Sequence, residues 1–130
     1  MRIVYDSLTG RGKKFSSQLG YESIDILDFD DIEDQTGPFI LVTRSQDFGK
    51  IPEDVIYLMD EFSDEFVGVI AAGNKNWGDN YGAAGDKVEQ IYGVPLITKF
   101  EGSGFKVDIT IAKKWIEDWN NKNNKEEKIM

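Results

Sequence analysis

Ser7, Thr9, Gly10 and Gly12 follow directly on the apolar triplet Ile3, Val4 and Tyr5, and a helical pattern begins at Lys13. Hydroxyls and glycines between a strand and a helix suit an anion. Backbone N–H groups at a helix start are unpaired and carry the positive end of the helix dipole. Glycine admits φ > 0, which lets several amides converge on one phosphate. The expected cradle is therefore Ser7, Leu8, Thr9, Gly10, Arg11 and Gly12, acting through their amides and the Ser7 and Thr9 hydroxyls. It is neither a Walker loop, since G-x-x-x-x-G-K-[ST] is absent, nor the dinucleotide fingerprint G-x-G-x-x-G.

Two further loops follow apolar strands. Thr43-Arg44-Ser45-Gln46-Asp47-Phe48-Gly49 leaves the strand Phe39 to Thr43, and Gly73-Asn74-Lys75-Asn76-Trp77-Gly78 leaves Phe66 to Ala72. Each brings one flat side chain, Phe48 or Trp77. Asparagine amides and exposed glycine N–H groups can bond the carbonyls and ring nitrogens of a flavin. A lone loop tryptophan is commonly a packing anchor, but its glycine- and asparagine-rich setting favours ligand contact. The expected planar-ring contacts are Thr43, Arg44, Ser45, Phe48, Gly49, Gly73, Asn74, Asn76, Trp77 and Gly78. A phosphate cradle with two such loops matches a phosphorylated planar ring system.

The elements that must position these loops alternate. Helices are expected at Lys13 to Leu19, from Pro52 with Val55, Leu58, Met59 and Phe62 buried, and over Tyr81 to Tyr92 with Val88, Ile91 and Tyr92 inward. A last helix is expected near Asp108 as N-cap, with Ile111, Trp115 and Trp119 on one face. Ser23 to Phe29 and Leu96 to Phe100 supply the remaining strands, and the loop Glu101 to Gly104 follows the last of them. Two strands apolar throughout call for a parallel sheet covered on both faces. Ligands of such sheets bind beyond the carboxyl ends of the strands. The fold class is therefore α/β.

Composition narrows the chemistry. The chain has 130 residues, enough for one core, and a formal net charge of −9, which disfavours nucleic-acid partners. It has no cysteine and no histidine, so thiolate chemistry, iron–sulfur ligation and imidazole acid–base catalysis are excluded. Any redox chemistry must then be carried by a bound cofactor. The acidic run from Asp28 to Asp34 lacks the spacing of a calcium loop and reads as a solvated loop. No apolar run is long enough to cross a bilayer, and no signal-peptide pattern is evident. A phosphorylated receiver domain shares the strand plan, but strand three ends in Thr43-Arg44-Ser45 where that domain needs an aspartate. The residues from Asn120 onward form a polar tail expected to fray.

The loop D-S-L-T-G resembles the phosphate loop of flavodoxins. The stretch G-V-I-A-A-G-N-K-N-W-G-D-N-Y-G-A-A-G-D, with Y-G-V-P and K-F-E-x-S-G after it, resembles the NrdI family, the flavodoxin-like partners of class Ib ribonucleotide reductase. The resemblance runs from Arg2 to about Trp119. Gly12 stands where the family usually carries a polar residue, and Arg44-Ser45-Gln46-Asp47 is more charged than the family's versions. The resemblance implies a flavodoxin-like three-layer sandwich with a five-stranded parallel sheet in the order 2-1-3-4-5. It implies an FMN-binding domain over 1–119, a polar tail over 120–130, and a cytoplasmic location. The implied partners are the reductase's small, radical-generating subunit, a flavodoxin reductase or similar electron donor, and O₂. Reduced flavin would convert O₂ to superoxide for assembly of the Mn(III)₂–tyrosyl radical cofactor. Arg44, with Lys75 a cation of the ring-facing loops, is then expected to favour the anionic reduced ring. Two alternatives remain open at this point, a general flavodoxin electron carrier and a flavin-free interaction domain.

Overall fold

The computed structural model describes residues 1–47 and 49–129, with side chains through Asn123. Five strands, β1 (Arg2–Tyr5), β2 (Glu22–Asp25), β3 (Phe39–Arg44), β4 (Phe66–Gly73) and β5 (Leu96–Glu101), form one parallel sheet in the order β2-β1-β3-β4-β5. Helices α1 (Arg11–Ser17), α2 (Glu53–Phe62), α3 (Ala83–Tyr92) and α4 (Lys106–Ile129) connect and cover it. This is the expected α/β three-layer arrangement with the expected strand order.

Alternation along the strands builds two cores from one sheet. Ile3, Tyr5, Ile40, Val42 and Ile70 point to one face, where they meet Phe15 and Leu19 near α1 and Ala112 and Ile116 of α4. Val4, Phe39, Leu41 and Val69 point to the other, against Val55, Leu58 and Met59 of α2 and Val88 of α3. Burying each such side chain stabilises the fold by about 1.5–3 kcal/mol. Phe15 stacks on Phe100 with ring centroids 4.0 Å apart, which fixes α1 to β5. Gly104 (φ 87°) lies so close to Phe15 that a Cβ would come within 2.5 Å of the ring. The loop after β5 is thereby pinned beside α1.

Several local expectations are corrected. β2 stops at Asp25, whose carboxylate accepts from the Leu27 amide and starts a 3₁₀ helix over Ile26–Asp31. Ile91 of α3 and Ile111 of α4 are exposed rather than inward, because the helices turn Val88 and the Ala112/Ile116 pair to the sheet. Asp108 is not the N-cap of α4. It sits in the first turn, and its carboxylate accepts from the Phe105 amide ahead of the helix. The stretch from Asn120 does not leave the helix: α4 continues to Ile129, and Asn120 Nδ2 donates to Tyr21 Oη at 3.3 Å.

Candidate functional site

The strand order reverses between β1 and β3, since β2 lies on one side of β1 and β3 on the other. A cleft opens there beyond the carboxyl ends of the strands, the position expected for a ligand in a doubly wound sheet. Its volume is about 240 Å³. The wall comprises Asp6, Ser7, Leu8, Thr9, Arg11 and Gly12 after β1, Arg44 and Ser45 at the end of β3, Ala72, Gly73, Asn74 and Trp77 at the end of β4, and Gly102 after β5.

The β1 loop leaves its backbone bare of a side chain at two glycines. Gly10 takes φ 85° as it enters α1 and offers no side-chain oxygen to cap the helix. Gly12 is buried against the turn, where a Cβ would sit 3.3 Å from the Asp6 carbonyl oxygen and 3.7 Å from Ser7 Oγ. Ser7 Oγ is buried and has no hydrogen-bond partner among the described residues. A buried hydroxyl left unpaired is unfavourable by about 1–3 kcal/mol, so its placement in the cleft wall fits a ligand oxygen.

The β4 loop is held by its own backbone and by β5. Asn74 Oδ1 accepts from the Asn76 amide at 2.9 Å, and the Trp77 amide donates to the Asn74 carbonyl at 3.0 Å. Glu101 Oε2 accepts from the Lys75 amide at 2.8 Å. Trp77 is half-buried on the cleft wall. On the β3 side, Ser45 Oγ accepts from the Ala84 amide at 3.3 Å, which ties that loop to the start of α3.

Two opposite charges of the cleft wall meet, and Arg11 is a third charged residue on it. Arg44 Nε lies 3.3 Å from Asp6 Oδ2, and the carboxylate is almost wholly buried. Burial pushes the Asp6 pKa above the ordinary carboxylate value, while Arg44 opposes the rise and Asp54 and Asp25 add to it. Arg44 therefore spends its charge on Asp6 rather than standing free toward a ring.

The structure brings Ser7, Leu8, Thr9, Arg11, Gly12, Arg44, Ser45, Gly73, Asn74 and Trp77 to one cleft. It does not bring Thr43, Gly49, Asn76, Gly78 or Gly10 to the wall. Thr43 is fully buried, with its hydroxyl donating to the Arg44 carbonyl. Gly49 (φ 118°) packs against Ala83, where a Cβ would come within 2.7 Å of that side chain. Asn76 and Gly78 are exposed in a 3₁₀ turn (Lys75–Asn80), and Gly10 shapes the cradle by its backbone alone. Phe48 lies outside the described residues. Sequence reasoning missed Asp6 and Ala72, although an aspartate directly before the cradle was a visible signal.

The family model described as NrdI flavodoxin-like matches residues 3–114 of the chain. The chain belongs to that family. Protein NrdI of Macrococcus caseolyticus is 42% identical over 109 residues, covering 84% of this chain and 83% of the relative. The SPbeta prophage-derived protein NrdI of Bacillus subtilis is 40% identical over 111 residues, covering 82% and 84%. Flavodoxin 2 from Bacillus cereus shares the fold with a TM-score of 0.63 at 13% identity, covering 93% of this chain and 97% of that one. A short-chain flavodoxin associated with a bacterial microcompartment shares it at the same TM-score and 16% identity, covering 89% and 93%. Membership of the NrdI flavodoxin-like family implies FMN binding. The orphan Ser7 hydroxyl, the close backbone at Gly12 and the Trp77 indole fit its phosphate end and its planar end.

Proposed function

We propose that this chain is the flavoprotein that activates the small, radical-generating subunit of a class Ib ribonucleotide reductase. FMN, when bound and reduced by a flavodoxin reductase or similar donor, would supply the electron that reduces O₂ to superoxide for assembly of the Mn(III)₂–tyrosyl radical cofactor. The chain's own residues bind, orient and shield. The Ser7–Gly12 cradle holds the phosphate through amides and the Ser7 and Thr9 hydroxyls. Gly73, Asn74 and Trp77 flank the ring on one side, and Arg44 and Ser45 border it on another. Gly102 lies on the wall of the same cleft.

The observation that carries the reading is the buried Ser7 hydroxyl, unpartnered among the described residues, on a residue of the cleft wall in a chain from this family. The exterior is compatible with docking. Leu8 on the cleft wall and Phe105 beside Lys75 are exposed apolar side chains near the cleft, on a molecule of net charge −9. Such a rim suits a partner with an apolar, basic face. No helix among the described residues is long and apolar enough to cross a membrane. The proposed site of action is the cytoplasm, and the proposed division of the chain is a flavin-binding domain over 1–119 and a polar extension over 120–130.

The test is a visible spectrum of the purified protein with added FMN during stepwise anaerobic reduction, followed by mixing with a manganese-loaded class Ib small subunit and O₂. Tyrosyl radical formation dependent on this protein is expected. FMN binding without activation would leave the general electron carrier as the function. A colourless protein that takes up no FMN would remove both.

A further inference from the structure

Asp6 and Arg44 meet at the floor of the cleft, at the ends of the two strands between which the sheet order reverses. The Asp6 amide donates to the Val42 carbonyl at 2.8 Å, which fixes the aspartate alongside β3. Its side chain is 7% exposed and next in sequence to Ser7, which lines the same cleft. Arg44 Nε and Asp6 Oδ2 are close enough for an ion pair, yet neither atom has a hydrogen bond among the described residues. The pair is therefore held by charge more than by a directed bond. Other charges near Asp6 make matters worse for an anion, since Asp54 and Asp25 are also negative.

This geometry bears on the FMN cleft described above and rests on that reading. A phosphate seated on the Ser7–Gly12 loop carries negative charge into a place that already contains a buried carboxylate. Like charges in a poorly solvated site repel strongly, and an opposite charge beside one of them removes most of that repulsion. We propose that Arg44 is a positioning residue that acts through Asp6: by neutralising this carboxylate it allows the cleft to prefer the phosphorylated flavin, FMN, over the phosphate-free riboflavin. The discrimination belongs to the pair. Arg44 without Asp6 is dispensable for it, whereas Asp6 without Arg44 opposes it.

The experiment is a double-mutant cycle on the full-length apoprotein, with flavin fluorescence quenching as the readout. Wild type, Arg44→Gln, Asp6→Asn and the double variant are each titrated with FMN and with riboflavin at neutral pH. For Arg44→Gln, the FMN-to-riboflavin affinity ratio is expected to fall about tenfold or more, the effect of one unit of differential charge interaction. In the double variant the ratio should return to within about threefold of wild type, because the carboxylate that Arg44 offsets is gone as well, whereas uncoupled sites would simply add. Asp6→Asn alone should match the double variant, since Arg44 is dispensable once the carboxylate it offsets is gone.

An equal loss in Arg44→Gln and in the double variant would overturn the proposal by showing that Arg44 acts on the phosphate directly. An unchanged ratio in Arg44→Gln would overturn it as well, and so would a parallel loss of both flavins, which marks general damage to the cleft. Should Arg44→Gln fail to fold, Asp6→Asn carries the test alone, and a fall in its ratio refutes the proposal. Failure of wild type to bind FMN would strike the cofactor reading instead, so the two failures are distinguishable.

Discussion

The Lys75 amide donates to Glu101 Oε2 at 2.8 Å, tying the loop after β4 to the end of β5. The same loop carries Asn74 and Trp77 on the cleft wall, and Gly102, next to Glu101, lies on that wall too. One carboxylate thus ties two neighbouring segments of the wall together. Replacing Glu101 with alanine frees the loop without touching the phosphate cradle. FMN and riboflavin affinities are expected to fall together, by about 3- to 10-fold, consistent with a net hydrogen-bond contribution of about 0.5–1.5 kcal/mol. Parallel fluorescence titrations check this, and a loss confined to FMN would contradict it.

Ser7→Ala separates stability from binding. The substitution removes a buried hydroxyl that has no hydrogen-bond partner among the described residues. The apoprotein is expected to be unchanged or more stable by about 1 kcal/mol, since burial of an unpaired polar group is relieved. FMN affinity should drop about tenfold, the equivalent of about 1.4 kcal/mol. Thermal melts of the apoprotein beside FMN titrations read the two signs independently, and a destabilised apoprotein would show that the hydroxyl has a structural partner.

Tyr92 predicts an alkaline limb of stability. Its hydroxyl donates to Asp60 Oδ1 at 2.6 Å, and burial, followed by that bond and the Asp60 charge, pushes its pKa up to about 12. A folded-state pKa above the unfolded value of 10.0 means that the contribution is fully present below pH 10. It is lost as pH rises through about 12. Tyr92→Phe should therefore lower stability by about 0.5–1 kcal/mol at neutral pH and flatten the alkaline decline. Urea denaturation of both proteins at neutral pH and across the alkaline limb checks the sign.

Gly85 of α3 sits on β4 so closely that a Cβ would come within 2.7 Å of the Ala71 side chain and 2.8 Å of Leu96 Cδ1. Helix α3 owes its approach to the sheet to this missing methyl. Gly85→Ala gains helix propensity but overpacks the interface, and a net destabilisation of about 1–3 kcal/mol is expected. A chemical denaturation midpoint that rises instead would mean that α3 shifts outward without penalty.

The legible part of this protein was local. Continuous apolar runs at Phe39 to Thr43 and Phe66 to Ala72, separated by helical periodicity, identify strands buried on both faces. The hydroxyl–glycine loop after Tyr5 is readable as an anion cradle because its chemistry lies in neighbouring residues. Resemblance to NrdI proteins supplied the strand order and cofactor, which no periodicity encodes. Helix ends were less legible, since Asp108 can serve either as a cap or as a first-turn acceptor and only the backbone path of Phe105 decides.

Which residues of a loop turn inward was not legible at all. Thr43 and Gly49 share a loop composition with Ser45, yet one points into the protein and the other braces α3. The sequence by itself determined the layers, the two buried strands and the loop able to receive a phosphate, because each depends on contacts within a few residues. Only the tertiary structure decided that Arg44 neutralises Asp6 and that Glu101 restrains the Trp77 loop. Those pairings come from the lateral order of strands in the sheet, and lateral order is set by packing across both faces rather than by any pattern along the chain.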